Sequence, residues 1–233
     1  DLNRLKKIGL LDNVIVFPHP IKNIDKRSKT NRKVSAIRKN TKLMIGSYGF
    51  CLPNKGFSEL IKAIPLLKKA NFNFHINIFS SIYSDDYEYY YHELINLIKN
   101  LSVENEITIN KNYLPIDDIQ SFLSQQDVIV YPYQRSNESS SASIRDGLAT
   151  LRPILVTPIS IFDDVYDLVD YLPGLSPDDI ANGIISWSKK RKTITKEAEK
   201  KQIYRADLIN SRSFTKLSHK FYSIIKSLEI NKD

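Results

Sequence analysis

Residues 127–157 read DVIVYPYQRSNESSSASIRDGLATLRPILVT, which describes a strand, a polar loop, a helix and a second strand in succession. Both ends are short runs of β-branched and aliphatic residues, Asp127–Tyr131 and Pro153–Thr157. Between them, three consecutive serines are good helix N-caps and precede a helical stretch over Ser141–Leu151. A strand, helix, strand order at this spacing predicts parallel strands with helices on the faces of the sheet.

The same alternation extends outward on both sides of this segment. Four more strands are predicted, at Val14–Phe17, Leu43–Ser47, Phe74–Phe79 and Glu106–Ile109. Helices are predicted over residues 57–67 with a kink or early end at Pro65, over 88–101, over 116–123, from an N-cap at Ser176 to Trp187, and in a basic C-terminal stretch broken near Ser211–Ser213. We therefore expect an α/β fold, a doubly wound parallel sheet of the Rossmann-like kind.

In such sheets ligands bind outside the carboxyl ends of the strands, which directs attention to the loops after Ser47, Ile109 and Tyr131. The first of these loops contains Gly46, Gly49 and Gly56, three of only seven glycines in the chain, and ends in Lys55-Gly56 before a helix. Glycines permit close backbone approach, and a lysine beside free backbone N–H groups suits an anion. Neither a Walker loop nor a dinucleotide fingerprint is present. A plain turn with a solvent-exposed lysine explains this loop equally well.

The loop after Tyr131 carries a second set of candidates. Ser139–Ser141 either cap the helix or offer free N–H groups to a diphosphate. Glu138 stands just before the helix, where its carboxylate can bond sugar hydroxyls. Asp146 lies two turns into the helix, where it either binds ribose hydroxyls or is only a solvated carboxylate.

Composition and charge restrict the class of protein. The chain has 233 residues, 42% of them hydrophobic, enough for a full core, and no apolar run approaches the length of a membrane span. Its one cysteine, Cys51, excludes an internal disulfide and fits a reducing, cytoplasmic compartment. The four histidines show no ligand spacing and there is no Asp-x-Asp triplet, so no metal site and no cofactor are expected. A start at Asp-Leu-Asn indicates a fragment or a processed chain.

The net charge of +8 is concentrated at the two ends. Residues 1–41 hold 11 Lys/Arg against 3 Asp/Glu, and residues 189–220 again hold 11 against 3, whereas residues 42–188 hold 10 against 18. Solvated linkers and helix faces explain this pattern most simply. The alternative is attraction of the ends to an anionic membrane or substrate. A nucleic-acid partner is not expected, because the core that bears the candidate loops is acidic.

Taken together, the two loops resemble a known family. From Leu43 to Asp164 the chain is similar to the donor-binding, C-terminal domain of GT-B glycosyltransferases, in particular the retaining enzymes of glycosyltransferase family four. That family has a glycine turn ending in Lys-Gly, matched by Lys55-Gly56, and a Glu, seven residues and a second Glu, matched by Glu138 and Asp146. Residues 149–156, ATLRPILV, match the turn and strand that follow the second Glu in the family, and residues 1–20 resemble the tail of the preceding domain.

The resemblance implies a domain plan and an activity. Residues 1–22 would be the remnant of an N-terminal domain, 23–41 a basic linker, 42–190 the nucleotide-sugar-binding α/β domain, and 191–233 a basic helical segment. The activity would be transfer of a hexose-like sugar, with retention, from a UDP- or GDP-linked donor to a glycan or lipid-linked acceptor in surface polysaccharide assembly. The protein would be cytoplasmic, with a peripheral contact at the inner face of the membrane. Because a GT-B enzyme needs two facing domains, the missing N-terminal domain is an expected partner and this chain is expected to be inactive alone.

The resemblance also assigns roles to residues. Lys55 and Glu138 would be the catalytic pair, with Lys55 on the donor diphosphate and Glu138 on the transferred sugar. Backbone amides of Ser139, Ser140 and Ser141 would bind the distal phosphate, Asp146 the ribose, and the remaining donor contacts would come from Gly49, Tyr113, Leu114 and Arg135. The chain departs from the family pattern in three places. Ser47 and Tyr48 stand where an Arg is common, and Arg135 is a candidate substitute for that Arg. In addition, Ser139–Ser141 replace Gly-Phe-Gly, and Asp146 replaces a Glu.

Two alternatives stay open at this point. One is a non-catalytic module that keeps the fold and serves as a scaffold for a partner transferase. The Asp at position 146 and the missing Arg favour the scaffold slightly, whereas Lys55 and Glu138 favour the enzyme more strongly. The other concerns the tyrosines at 83, 87 and 89–91, which either stack on sugars or, as we prefer, belong to an amphipathic helix with some aromatic surface.

Overall fold

The computed structural model describes residues 2–10, 14–15, 17–22, 42–191 and 196–230. Six strands form its sheet: β1 Leu43–Tyr48, β2 Phe74–Phe79, β3 Ile107–Asn110, β4 Val128–Tyr131, β5 Ile154–Val156 and β6 Asp170–Tyr171. Every neighbouring pair is parallel and the order is β3-β2-β1-β4-β5-β6. The predicted doubly wound parallel sheet is confirmed.

Helices connect and cover these strands: α1 Leu2–Lys7, α2 Phe57–Lys62, α3 Ile64–Lys69, α4 Glu88–Asn100, α5 Ile116–Ser124, α6 Ala142–Ala149, α7 Pro177–Arg191, α8 Lys196–Ser211 and α9 Phe214–Ile230. The predicted interruption at Pro65 is confirmed, because α2 ends before Ala63 and α3 begins with this proline in its first turn. The predicted break near Ser211–Ser213 separates α8 from α9. The α7 N-cap is also confirmed: the Ser176 hydroxyl accepts from the Asp179 N–H at 3.1 Å, and the Asp179 carboxylate accepts from the Ser176 N–H at 3.2 Å.

Strand β4 shows why the central strands read as continuous apolar runs. Val128 and Val130 point into the hydrophobic cluster that α2, α3, α4 and α7 cover. Ile129 and Tyr131 point into the second cluster, which α5, α6 and residues 160–168 cover. Because successive side chains of a strand face opposite sides, a strand covered on both faces needs apolar residues at every position.

The strand order creates a crevice between β1 and β4. From β1 the chain moves outward through β2 to β3 and then returns to the other side of β1 as β4. The loops that follow β1 and β4 consequently leave the sheet in opposite directions, which is the topological switch point where ligands bind in open α/β sheets. The loops singled out from the sequence meet at this point.

Two expectations about strands need correction. The strand predicted at Val14–Phe17 is wrong: none of its described residues, 14, 15 and 17, lies in a strand. Phe17 instead contacts the Phe221 ring of α9, with the two ring centroids 5.9 Å apart. Conversely, β6 and the 3₁₀ segment Ser160–Leu168 were not predicted, because two residues of strand are too short to show a period.

The predicted linker at 23–41 lies outside the described residues, and the domain boundaries stay predictions. Across the described part of the chain, every helix is too short or too polar to cross a membrane.

Candidate functional site

A cavity of about 260 Å³ opens at the crevice between β1 and β4. It collects residues from the four loops that follow β1, β2, β3 and β4 and from helices α5 and α6, and the sequence separates these residues by up to 98 positions. Seven of the ten predicted donor-binding residues line it: Gly49, Lys55, Tyr113, Leu114, Glu138, Ser141 and Asp146. Arg135, Ser139 and Ser140 do not line it.

Lys55 reaches the cavity because a short turn fixes its backbone. It ends the 3₁₀ turn Pro53–Lys55, and Gly56 then takes a left-handed conformation with φ +73°. A Cβ atom at Gly56 would stand 1.8 Å from the Pro132 carbonyl oxygen, so only glycine permits this approach of the first loop to the loop after β4. The Gln134 N–H donates to the Asn54 carbonyl at 3.0 Å and joins the same two loops.

An aromatic ring supports the lysine. The Nζ atom of Lys55 lies 4.1 Å from the centroid of the fully buried Tyr133 ring, a cation–π arrangement. The Tyr133 hydroxyl is in hydrogen-bond contact with Ser143 Oγ at 2.6 Å and with Ser141 Oγ at 3.3 Å. Tyr133 therefore ties the position of Lys55 to the start of α6.

Sequence reasoning missed Tyr133. The signal available was an aromatic residue two positions beyond the predicted β4, at the ligand-binding edge of the sheet. Periodicity identifies such a residue as buried, but it does not show that a lysine 78 positions away lies over the ring. The same holds for Tyr48, the last residue of β1, and for Phe50 in the loop after it, both of which line the cavity.

Asp146 presents a poorly hydrated carboxyl group to the cavity. It lies on α6, and burial raises its pKa from 3.8 to about 6, although Lys22 acts in the opposite direction. Within the described part of the chain its carboxylate has no hydrogen-bond partner. Burial, followed by the charge of Asp146, raises the pKa of the neighbouring Tyr48 to about 12. A half-buried acceptor without a partner is suited to bind hydroxyl groups of a ligand.

The serines at the start of α6 do not cap the helix through their side chains, which was one of the two roles expected for Ser139–Ser141. Ser141 is the N-cap residue, yet its side chain makes no cap hydrogen bond and instead contacts Tyr133 and Ser143. Glu138 and Ser139 are exposed and Ser140 is half-buried. Glu138 lines the cavity, and its backbone N–H donates to Ser136 Oγ at 3.1 Å.

A buried arginine anchors α6 from behind the site. Arg145 is 4% exposed, donates to the Ser141 carbonyl at 2.5 Å, and forms an ion pair with Asp164 of the 3₁₀ segment. Arg212 donates to the Asp164 backbone carbonyl at 2.8 Å. These contacts connect the helix that carries Asp146 to residues 160–168 and to the end of α8.

The predicted substitute arginine, Arg135, is exposed and is not one of the residues that line the cavity. The Asn54 side chain donates to its backbone carbonyl at 3.5 Å. Cys51 is fully buried, and burial raises the pKa of its thiol, so this cysteine is unreactive.

Comparison with known proteins identifies the family to which a chain with this cavity belongs. The family model described as glycosyl transferases group 1 matches residues 28–207, which include every strand of the sheet and every residue of the cavity. The chain belongs to the group 1 glycosyltransferases. No curated protein sequence matches it significantly.

Solved glycosyltransferase structures share the fold. A glycosyltransferase from Rickettsia africae has a TM-score of 0.71 and 19% identity, with 99% of this chain and 62% of that chain covered. Anabaena HepE, solved with UDP and glucose, has a TM-score of 0.65 and 14% identity over 80% of this chain and 48% of that one. Sucrose-phosphate synthase from Thermosynechococcus elongatus has a TM-score of 0.63 and 11% identity over 82% and 46%. This glycosyltransferase chain thus spans about half to three-fifths of the length of these three neighbours.

Among the described residues of this glycosyltransferase, no three His, Cys, Asp or Glu side chains converge to hold a metal ion. Catalysis without a metal stays a prediction.

Proposed function

We propose that this chain is the nucleotide-sugar-binding part of a retaining glycosyltransferase, with a UDP- or GDP-linked sugar as donor. The observation that carries the proposal is the convergence of Lys55, Glu138 and Asp146 on one cavity at the switch point. Membership of the group 1 glycosyltransferases, and the UDP and glucose present in the Anabaena structure, support a donor of this class.

Each of these side chains has a part in the proposed reaction. The bond between the anomeric carbon and the diphosphate oxygen breaks, a bond to the acceptor oxygen forms, and the acceptor proton leaves with the nucleoside diphosphate. Negative charge grows on the departing diphosphate, and the Lys55 ammonium stabilises it. Glu138 holds the sugar through its hydroxyls, and Asp146 accepts hydrogen bonds from the ribose.

The lysine is preorganised for this task. Its backbone is fixed by the Gly56 turn and its side chain lies over the Tyr133 ring, so little reorganisation is needed as the charge develops. No acidic side chain pairs with Lys55 among the described residues, so the ammonium is free to meet an anion.

The acceptor side of the reaction needs a partner. We infer that a second, N-terminal domain faces the cavity and that the complete enzyme transfers the sugar to a glycan or lipid-linked acceptor in surface polysaccharide assembly. The greater length of the structural neighbours supports a further domain. On this proposal the chain described here binds donor but does not turn it over.

The proposal includes a cytoplasmic protein in peripheral contact with an anionic membrane. Helix α9 supports this part, because Lys216 and Lys220 lie exposed on one side and Phe221 and Leu228, 56% and 62% exposed, lie on another. An amphipathic helix of this kind suits an anionic interface. Co-sedimentation with phosphatidylglycerol vesicles that falls steeply with salt is expected, and equal recovery with neutral vesicles would contradict it.

Calorimetric titration with UDP, GDP, ADP and CMP tests the donor assignment. We expect one nucleoside diphosphate to bind selectively and Lys55→Ala to weaken that binding at least about tenfold, because a charge-assisted contact to phosphate is lost. Lys69→Ala is the matched control, since Lys69 is an exposed lysine at the end of α3, away from the cavity.

Equal affinity of the parent chain and Lys55→Ala for every nucleotide would contradict the proposal. Selective binding by the parent together with sugar transfer by the longer protein would also separate an enzyme from a non-catalytic scaffold. A scaffold is expected to show no transfer to any acceptor even when both domains are present.

A further inference from the structure

A row of four aromatic rings leads away from the cavity, and we call it the aromatic strip: Phe50, Tyr83, Tyr87 and Tyr89. The Phe50 and Tyr83 rings are 5.2 Å apart, Tyr83 and Tyr87 are 6.1 Å apart, and Tyr87 and Tyr89 are 6.5 Å apart. Each ring contacts the next, so the four form a continuous surface.

The strip begins at the site itself. Phe50 follows β1 and forms part of the cavity wall, and Tyr83 stands in the loop after β2, at the same edge of the sheet. The strip therefore continues from the mouth of the proposed donor cavity along the ligand-binding edge.

Packing of the fold does not account for three of the four rings, whereas Tyr87 is half-buried. Phe50, Tyr83 and Tyr89 are 42%, 61% and 52% exposed. By contrast, Tyr90 of the same segment is 5% exposed in the core, and Tyr91 packs under the Lys111 ammonium at 5.0 Å. The expectation of an amphipathic helix with some aromatic surface holds for Tyr89–Tyr91 in α4, but Tyr83 and Tyr87 precede this helix, and core packing explains only Tyr90 fully.

The charges beside the strip indicate what kind of ligand fits. Asp85 and Asp86 lie exposed between Tyr83 and Tyr87, and Lys111 is already paired with Glu88 at 3.1 Å. Exposed carboxylates repel phospholipid headgroups and nucleic acid, whereas they accept hydrogen bonds from hydroxyl groups. A neutral, hydroxyl-rich ligand with apolar faces therefore matches this surface.

We propose that the aromatic strip binds the sugar chain of a glycan acceptor and holds it beside the donor cavity. The electron-rich ring faces stack against the C–H faces of pyranose rings, while Asp85 and Asp86 accept from their hydroxyls. This inference rests on the proposed function, and it adds that the acceptor is a neutral oligosaccharide bound in part by this domain.

An array of neutral linear oligosaccharides tests the inference, with glucans, galactans, mannans and chito-oligosaccharides as probes. The parent chain is applied alone and with saturating UDP or GDP. We expect binding to at least one series, and a loss of about tenfold in apparent affinity in Tyr83→Ala/Tyr89→Ala, because two stacking contacts disappear. The matched control is Tyr166→Ala/Tyr222→Ala, which removes two tyrosines that are 64% and 59% exposed elsewhere.

Nucleotide titration of the same variants separates this inference from the proposed function. Nucleotide binding that is equal in parent and strip variant, together with weakened glycan binding, supports both. If the parent chain binds a nucleotide but no oligosaccharide, the assignment of the strip is overturned and the proposed function stands. If the parent chain binds glycans but no nucleotide, the donor site fails, and the acceptor role of the strip is overturned with it. Strip-dependent binding to phosphatidylglycerol vesicles would overturn the inference in favour of a lipid.

Discussion

At the scale of single residues, the titration of Asp146 is the property of the site that is most directly measurable. Its folded-state pKa of about 6 lies above the ordinary 3.8 because the carboxyl is buried. The folded state therefore holds the proton more tightly than the unfolded chain. The stability that this group contributes is full below about pH 3.8 and is lost as the pH rises through about 6.

Asp146→Asn should remove this pH dependence. Asparagine has nearly the same size and cannot ionise, so the variant should exceed the parent in unfolding free energy at pH 8 by at most about 3 kcal/mol. Below pH 4 the two should agree. Urea titrations between pH 4 and 8 measure the difference, and a parent that is the more stable at pH 8 would show that the carboxylate has a favourable partner.

Nucleotide binding should have the opposite pH dependence. On our proposal the ionised Asp146 accepts hydrogen bonds from ribose, so affinity for the nucleotide should fall as the pH drops through about 6. Calorimetry of the parent at pH 5 and 7.5 checks this, with Asp146→Asn as the variant in which the change disappears. A pH profile that is identical in parent and variant would remove Asp146 from the donor site.

Gly56 offers a second test at this scale, and the chain supplies its own control. Gly56 and Gly9 have almost the same φ, +73° and +72°, but a Cβ at Gly56 would meet the Pro132 carbonyl and one at Gly9 meets nothing within 4 Å. Gly9→Ala should cost at most about 2 kcal/mol, the strain of a left-handed alanine. Gly56→Ala should cost clearly more in unfolding free energy and should weaken nucleotide binding. Equal losses in the two variants would contradict the close approach of the two loops.

At the scale of elements, the position of α6 depends on a buried ion pair. Arg145 joins α6 to Asp164 of residues 160–168, and its Nε atom has no hydrogen-bond partner. Removing the carboxylate alone leaves a buried charge uncompensated, which usually costs several kcal/mol, whereas removing both charges often costs little.

A double-mutant cycle tests this arrangement. Arg145→Met and Asp164→Leu should each lower the unfolding free energy by about 3 kcal/mol, and the double variant should lose less than the sum of the two. Chemical denaturation of the four proteins gives the coupling. Strict additivity would show that the two side chains act independently and that α6 is held by apolar packing alone.

At the scale of the whole molecule, more of the fold than of the candidate site could be predicted from the sequence. Strands β1 to β5 were predictable because strands covered on both faces need unbroken apolar runs, and Val128–Tyr131 is such a run. The run at Val14–Phe17 has a similar composition, yet its described residues 14, 15 and 17 lie in no strand and Phe17 contacts α9, so composition alone does not supply a strand partner. The rule for strand ends directed attention to the loops that carry Lys55 and Glu138 and precede the helix of Asp146, whereas the joint role of the three residues came from a family resemblance. Tyr133 and the aromatic strip depend on contacts between distant loops, which no period or spacing records.

The most direct test of the central claim is a crystal structure of this chain grown with whichever of UDP or GDP binds more tightly. We predict a nucleotide in the cavity between β1 and β4, with its diphosphate in contact with the Lys55 ammonium and its ribose hydroxyls on the Asp146 carboxylate. A nucleotide bound elsewhere on the chain, or one in the cavity with its diphosphate directed away from Lys55, would contradict the account.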